Sequence, residues 1–171
     1  KPQGVLSATE DLKDRTVVDL LDPEFRHFEP FPVGRLDKDT EGFLLLTNDG
    51  KLAHNLLSPK KGVPKTYFAH VEGIVIEDDV ERFAEGVILD DGYETKPGRL
   101  VILKSAPVSE IELTITEGKF HQVKRMFEAV GKKVVYLKRL SMGPLTLDEG
   151  LGLGAYRELT EDEIALLEEL A

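Results

Sequence analysis

The sequence predicts an α+β fold with a mixed, mainly antiparallel β-sheet core flanked by helices. Three observations lead there. Short apolar segments alternate with a period of two, as half-buried strands do. Helical periodicity is confined to a few separate stretches. The two kinds of segment come in mixed order, without the strict strand–helix–strand alternation of a doubly wound parallel sheet.

The elements follow along the chain. "KPQGVLSATED" reads as a strand end and a Pro-Gly turn, and "RTVVDLL" as a short apolar segment. "DPEFRHFEPFPVGRLD" holds three prolines and reads as an extended loop. "GFLLLT" reads as a buried strand and "NDG" as a turn. "GKLAHNLLSP" is a short helix stopped by Pro59. "KTYFAHVEG" alternates like a strand. "IEDDVERFAEGV" is an amphipathic helix with Val80, Phe83 and Ala84 on one face and Gly86 near its end. "GRLVILKS" and "EIELTIT" are strands, the second with Ile111, Leu113 and Ile115 on one face. "KFHQVKRMFEAVGKK" is a helix that turns Val123, Met126, Phe127 and Val130 inward and ends at Gly131. "VVYLKRLSMGPLTL" is a strand and turn. "TEDEIALLEELA" opens on a capping box, Thr160 with Glu163, and continues as an amphipathic helix. No internal repeat, low-complexity tract or linker interrupts this order.

A chain of 171 residues suits one compact domain, or one with a small lobe, and 41% hydrophobic residues supply a core. No apolar run reaches the roughly 18 residues of a membrane-spanning helix, and the start lacks a signal-peptide pattern. A cytoplasmic address and a monomer are the default expectations. With no cysteine, disulfides, thiolate metal sites and thiol catalysis are excluded. The net charge of −10 argues against a general nucleic-acid binder. The charge is uneven, however. Residues 116–139 hold seven basic and two acidic side chains, whereas residues 157–171 hold one basic and six acidic. One region is therefore locally cationic in an acidic protein.

Three clusters could carry chemistry. In "GRLDKDTEGFLLLTNDG", residues 34–50, Asp37 stands between Arg35 and a buried run. A carboxylate there can act as nucleophile, general base or metal ligand, or simply shape a surface turn with Asp39 and Thr40. No His pair or second acidic cluster stands at metal-ligand spacing, so no metal is predicted. Phosphate-loop, dinucleotide and nucleophile-elbow motifs are missing. In "EGKFHQVKRMF", His121, Lys124, Arg125 and Glu128 fall at helical spacing; one cation could meet a carboxylate and another a phosphate, or the face could simply be solvated. In "KTY", Lys65 and Tyr67 lie on one side of a strand, suiting a phosphate and a stacked base, or an ordinary amphipathic strand. Lys60 and Lys61 are close by in sequence.

Together these motifs resemble the RsuA/RluB/RluE/RluF family of ribosomal RNA pseudouridine synthases. The family signature runs G-R-L-D, two variable residues, T, one variable residue, G, then L-L-L-L-T-N-D-G. "KPQG", "KTY", "EGKFHQVKRMF" and "LKRLSMGPLTLDEGLGLGAYRELT" follow in family order, so the resemblance spans essentially residues 1–171. It implies the family's sheet fold and an S4-like RNA-binding domain before residue 1, which this chain lacks. It further implies Asp37 as the catalytic aspartate, Tyr67 as the tyrosine against the target base, and Lys124 or Arg125 as the aspartate's partner, with Lys124 favoured. Arg35, Thr40, Lys65, His121, Gln122 and Arg125 form the implied RNA-binding set. Phe43 replaces the usual Leu, and Asn55 replaces a common basic residue.

The implied reaction converts a uridine of ribosomal RNA to pseudouridine, with 16S favoured over 23S, and needs no cofactor. The N-glycosidic bond breaks, the uracil turns over, and a bond forms from C5 to the sugar. Asp37 attacks the sugar or abstracts a proton from it. The uridine is expected to be flipped out, because a stacked base hides its sugar carbon. Two competing readings remain. An RNA N-glycosidase could pair Asp37 with Asp39 or Glu41 and release uracil. A non-catalytic ribosome-assembly factor would not need Asp37.

Overall fold

The computed structural model describes residues 1–170. In chain order, after a single turn of 3-10 helix at Val18–Leu20, it contains α1 (Pro23–Arg26), β1 (Phe31–Pro32), β2 (Glu41–Gly42), β3 (Leu46–Thr47), α2 (Gly50–Leu57), β4 (Lys65–Glu72) and α3 (Glu77–Glu85). Then follow β5 (Arg99–Lys104), β6 (Val108–Ile115), α4 (Gln122–Ala129), β7 (Lys133–Met142), β8 (Leu145–Thr146) and α5 (Glu161–Leu170). The expected α+β class is what is found. The chain forms two compact units, one from Lys1–Val63 and Ser141–Ala171, the other from Pro64–Leu140.

The first unit gathers Val33, Leu45, Leu56, Met142, Leu145 and Leu167 into one core. Three pieces of local chemistry bring these residues in. Asp49 caps α2 by accepting from the Leu52 N–H at 3.0 Å. Thr160 and Glu163 cap the start of α5 reciprocally, at 2.8 and 3.2 Å, as the sequence predicted. Gly143, at φ +58°, turns the chain between β7 and β8, so that Met142 faces Leu145.

One expectation fails in this unit. "GFLLLT" does not form one strand. Gly42, at φ +114°, ends β2, residues 43–45 are irregular, and β3 pairs with β1, Leu46 opposite Pro32. Hydrophobicity reported burial there but not backbone continuity. The "NDG" turn leads directly into a helix, with its aspartate as the cap. The proline-rich loop contains one helical turn, α1, with Pro23 at its first position.

The second unit is a sheet in the order β7-β4-β6-β5. β6 pairs antiparallel with both β4 and β5, setting Lys65 opposite Ile115, Tyr67 opposite Leu113 and Ala69 opposite Ile111. The period-two pattern of β4 puts Lys65, Tyr67, Ala69 and Val71 on the buried face. The helices complete that core, Phe83 of α3 meeting Phe127 of α4 edge to face at 5.0 Å. The opposite face carries Phe68, His70 and Tyr136, whose rings lie 5.1–6.2 Å apart. Ala84 is exposed, contrary to expectation, and Asp79 is buried on α3 instead. Asp79 bonds back to the Ile76 N–H and pairs with Lys132 at 3.0 Å, which makes its burial tolerable.

Candidate active site

The loop that carries Asp37 is pinned from several sides. Gly34 enters it at φ +79°, a conformation that suits a residue without Cβ. Leu36 plugs into the protein at 5% exposure, and its backbone N–H and C=O both bond the Ser7 hydroxyl at 3.0 Å. A turn follows, the Thr40 N–H donating to the Asp37 carbonyl at 3.0 Å. The Lys1 ammonium donates to the carbonyls of Asp37, Lys38 and Thr40 at 3.1, 3.2 and 2.7 Å. Burial lowers the Lys1 amine to about 8, against the opposing pull of Asp39, Asp37 and Glu41. The backbone around Asp37 is thus fixed by these groups, and its side chain is partly exposed. Arg35 is exposed. Thr40 is 1% exposed, so its hydroxyl faces protein.

In the second unit, β4 places Lys65 and Tyr67 side by side in direction, at 7% and 8% exposure. Burial lowers the Lys65 amine, the nearby Arg139 guanidinium lowers it further, and Glu117 opposes both. Arg139 was missed in the sequence. It is 2% exposed and shares the inward parity of Leu137 on β7, the signal that marks it. A guanidinium so buried demands anionic or hydrogen-bonding company.

Glu117 organises the segment that leads into α4. It accepts from the Tyr93 hydroxyl, from the Lys96 N–H at 2.8 Å and from the Gln122 amide at 3.0 Å. Burial raises its carboxyl, but these hydrogen bonds outweigh that and leave it below the usual range. Gln122, 4% exposed, also accepts from the Lys119 N–H at 2.9 Å. Of the RNA-binding residues expected from the sequence, Gln122 is therefore an internal brace. Arg125 serves similarly. Its guanidinium pairs with Asp90 at 2.7 Å and Asp91 at 2.8 Å and donates to the Phe120 carbonyl at 2.8 Å. Lys124 lies one position before it on α4, partly exposed. His121 precedes the helix at φ +48°, a left-handed conformation costing a non-glycine residue about 1–3 kcal/mol. Among the described residues no group of three or more His, Cys, Asp or Glu could hold a metal, and no helix is long and apolar enough to cross a membrane.

Comparison with known proteins gives these residues a context. The family model described as RNA pseudouridylate synthase matches residues 1–129. A relative in Bacillus subtilis, an uncharacterised RNA pseudouridine synthase, is 62% identical over 99% of this chain and 71% of its own length. The ribosomal small subunit pseudouridine synthase A of Salmonella typhimurium is 45% identical over 96% of this chain and 70% of its own. That of Escherichia coli K12 is 44% identical with the same coverage. A crystal structure of a pseudouridylate synthase superposes with a TM-score of 0.90 at 42% identity, covering 98% of this chain and 70% of that one. The expected pseudouridine synthase fold is thereby found. The family model matches residues 1–129, and the relatives and the superposed structure extend the match along nearly the whole chain: it belongs to the RNA pseudouridine synthase family, enzymes that make pseudouridine in RNA.

Proposed function

We propose that this enzyme isomerises a uridine of 16S ribosomal RNA, with Asp37 as the group that acts at the sugar. The observation that carries the reading is the 44–45% identity, over 96% of this chain, to relatives named for the ribosomal small subunit. The pinned turn beneath Asp37 supports its role, since a reacting carboxylate needs a rigid mount. The steps balance without a co-reactant. The bond from uracil N1 to the sugar C1′ breaks, the base turns, C5 bonds to C1′, the C5 hydrogen leaves as a proton, and N1 takes up a proton, so the product is an isomer of the substrate. Tyr67, 8% exposed on β4, suits a base held away from water, which would otherwise hydrolyse the intermediate. The family resemblance assigns Lys124 or Arg125, with Lys124 favoured, the part of the cation that keeps the catalytic aspartate ionised. Arg35, exposed and two residues before Asp37 in sequence, takes the role of filling the gap left by a flipped base.

Tritium release from C5-labelled 16S and 23S RNA tests this reading, using the full-length protein and Asp37→Asn. Release from 16S RNA by the wild type, and none by the folded variant, is the expected result. Release from 23S RNA alone would move the substrate to the large subunit. Free uracil would indicate an N-glycosidase, and undiminished turnover by Asp37→Asn would remove the aspartate from the mechanism.

A further inference from the structure

We infer that Phe120 is a preorganised stacking platform for an unpaired base of the RNA substrate, distinct from the base being isomerised. The inference rests on the proposed reaction on RNA. Its first support is the ring itself. Phe120 is 75% exposed, yet it lies flat on His121, with centroids 3.8 Å apart and planes 17° from parallel. A lone exposed apolar residue needs no explanation. This one is held in a defined orientation on a second ring.

The second support is the mount. The backbone on both sides of the ring is fixed by buried or paired side chains. The Phe120 carbonyl is bonded by Arg125, itself locked to Asp90 and Asp91. The Lys119 N–H is bonded by Gln122, which is tied to Glu117. His121 is kept in a left-handed conformation. A surface side chain does not ordinarily require such bracing. A rigid aromatic on a rigid loop binds a flat partner with little loss of freedom, which favours affinity.

The third support is charge. Lys119, next to Phe120 in sequence, is exposed, with its ammonium 4.7 Å from the centre of the Tyr93 ring, and "KFHQVKR" adds Lys124. An exposed aromatic flanked by cations suits a base and its phosphate, the pattern by which proteins hold single strands. The contrast with Tyr67 separates their roles. Tyr67 is buried and suits a base shut away from water, while Phe120 suits a base left open on one side.

This chain has no tryptophan, so Phe120→Trp in it introduces a single indole reporter among its 171 residues. It is titrated with a single-stranded RNA decamer and with an abasic decamer of equal length. Saturating RNA should quench its emission and the abasic decamer should not, since stacking needs a base. Leu103→Trp, on the exposed part of β5, should be insensitive to both. In turnover, Phe120→Ala should raise KM about ten- to a hundredfold with kcat within about twofold, as loss of stacking alone predicts. Phe120→Trp should retain the wild-type KM. Equal quenching by both decamers, no quenching, or an unchanged KM in Phe120→Ala would overturn the platform. A wild type that releases no tritium overturns the reaction instead, and the fluorescence titration still reads stacking.

Discussion

Tyr67 shows how much one residue's neighbours decide. It is opposite Leu113 on β6, on a buried face shared with Ala69 and Val71, and is 8% exposed. No hydrogen bond involving its hydroxyl is needed for this packing. Tyr67→Phe should therefore keep kcat within about tenfold, while Tyr67→Ala should lose at least about a hundredfold by loosening the reacting base. Single-turnover rates on 16S RNA check this, and full activity in Tyr67→Ala would remove the stacking role. The basic letters of "HQVKR" were harder to read. Solvated cations, substrate ligands and internal braces are written with the same residues. Only Asp90 and Asp91, far off in sequence, reveal Arg125 as a brace.

At the scale of elements, two joints are open to test. Gly86 ends α3 at φ +96°, and a Cβ there would come within 2.4 Å of the Thr95 carbonyl. That backbone cannot move freely, because the Thr95 N–H and hydroxyl both bond Val87, at 2.9 and 3.0 Å. Gly86→Ala should cost about 1–3 kcal/mol or more in urea unfolding. A loss under a few tenths would show that the joint is slack. The start of α5 carries a pH-dependent contribution. The Arg157 guanidinium, then the Thr160 N–H, pulls the Glu163 carboxyl down to about 2 from its ordinary 4.5. A depressed carboxyl stabilises the fold fully above its unfolded value and loses that contribution as pH falls from about 4.5 toward 2. Glu163→Gln should thus differ from wild type at pH 6 and converge with it near pH 2–3. Parallel unfolding curves across that range would refute the assignment. The capping box was legible because its signal is local. "GFLLLT" misled because a glycine at φ +114° is invisible in a hydropathy pattern.

At the scale of the whole chain, the second unit is one continuous segment, Pro64–Leu140, and the first is made from what precedes and follows it. The cationic stretch, residues 116–139, lies in the second unit and the acidic end in the first. RNA affinity should accordingly be steep in salt despite the net charge of −10. About four phosphate contacts would give a slope of roughly −3 in log K against log salt. A slope near zero, measured by filter binding from 50 to 200 mM salt, would exclude the cationic stretch as the binding surface. The sequence by itself determined the fold class, the inward faces of β4 and β6, and the capped start of α5. Those are local properties, written in periodicity and spacing. Tertiary structure alone decided that Lys65 and Arg139 are buried, that Gln122 and Arg125 serve as braces, and that Phe120 stands exposed on His121. These depend on partners brought from distant positions, and a residue's chemistry is the same letter whichever partner it meets.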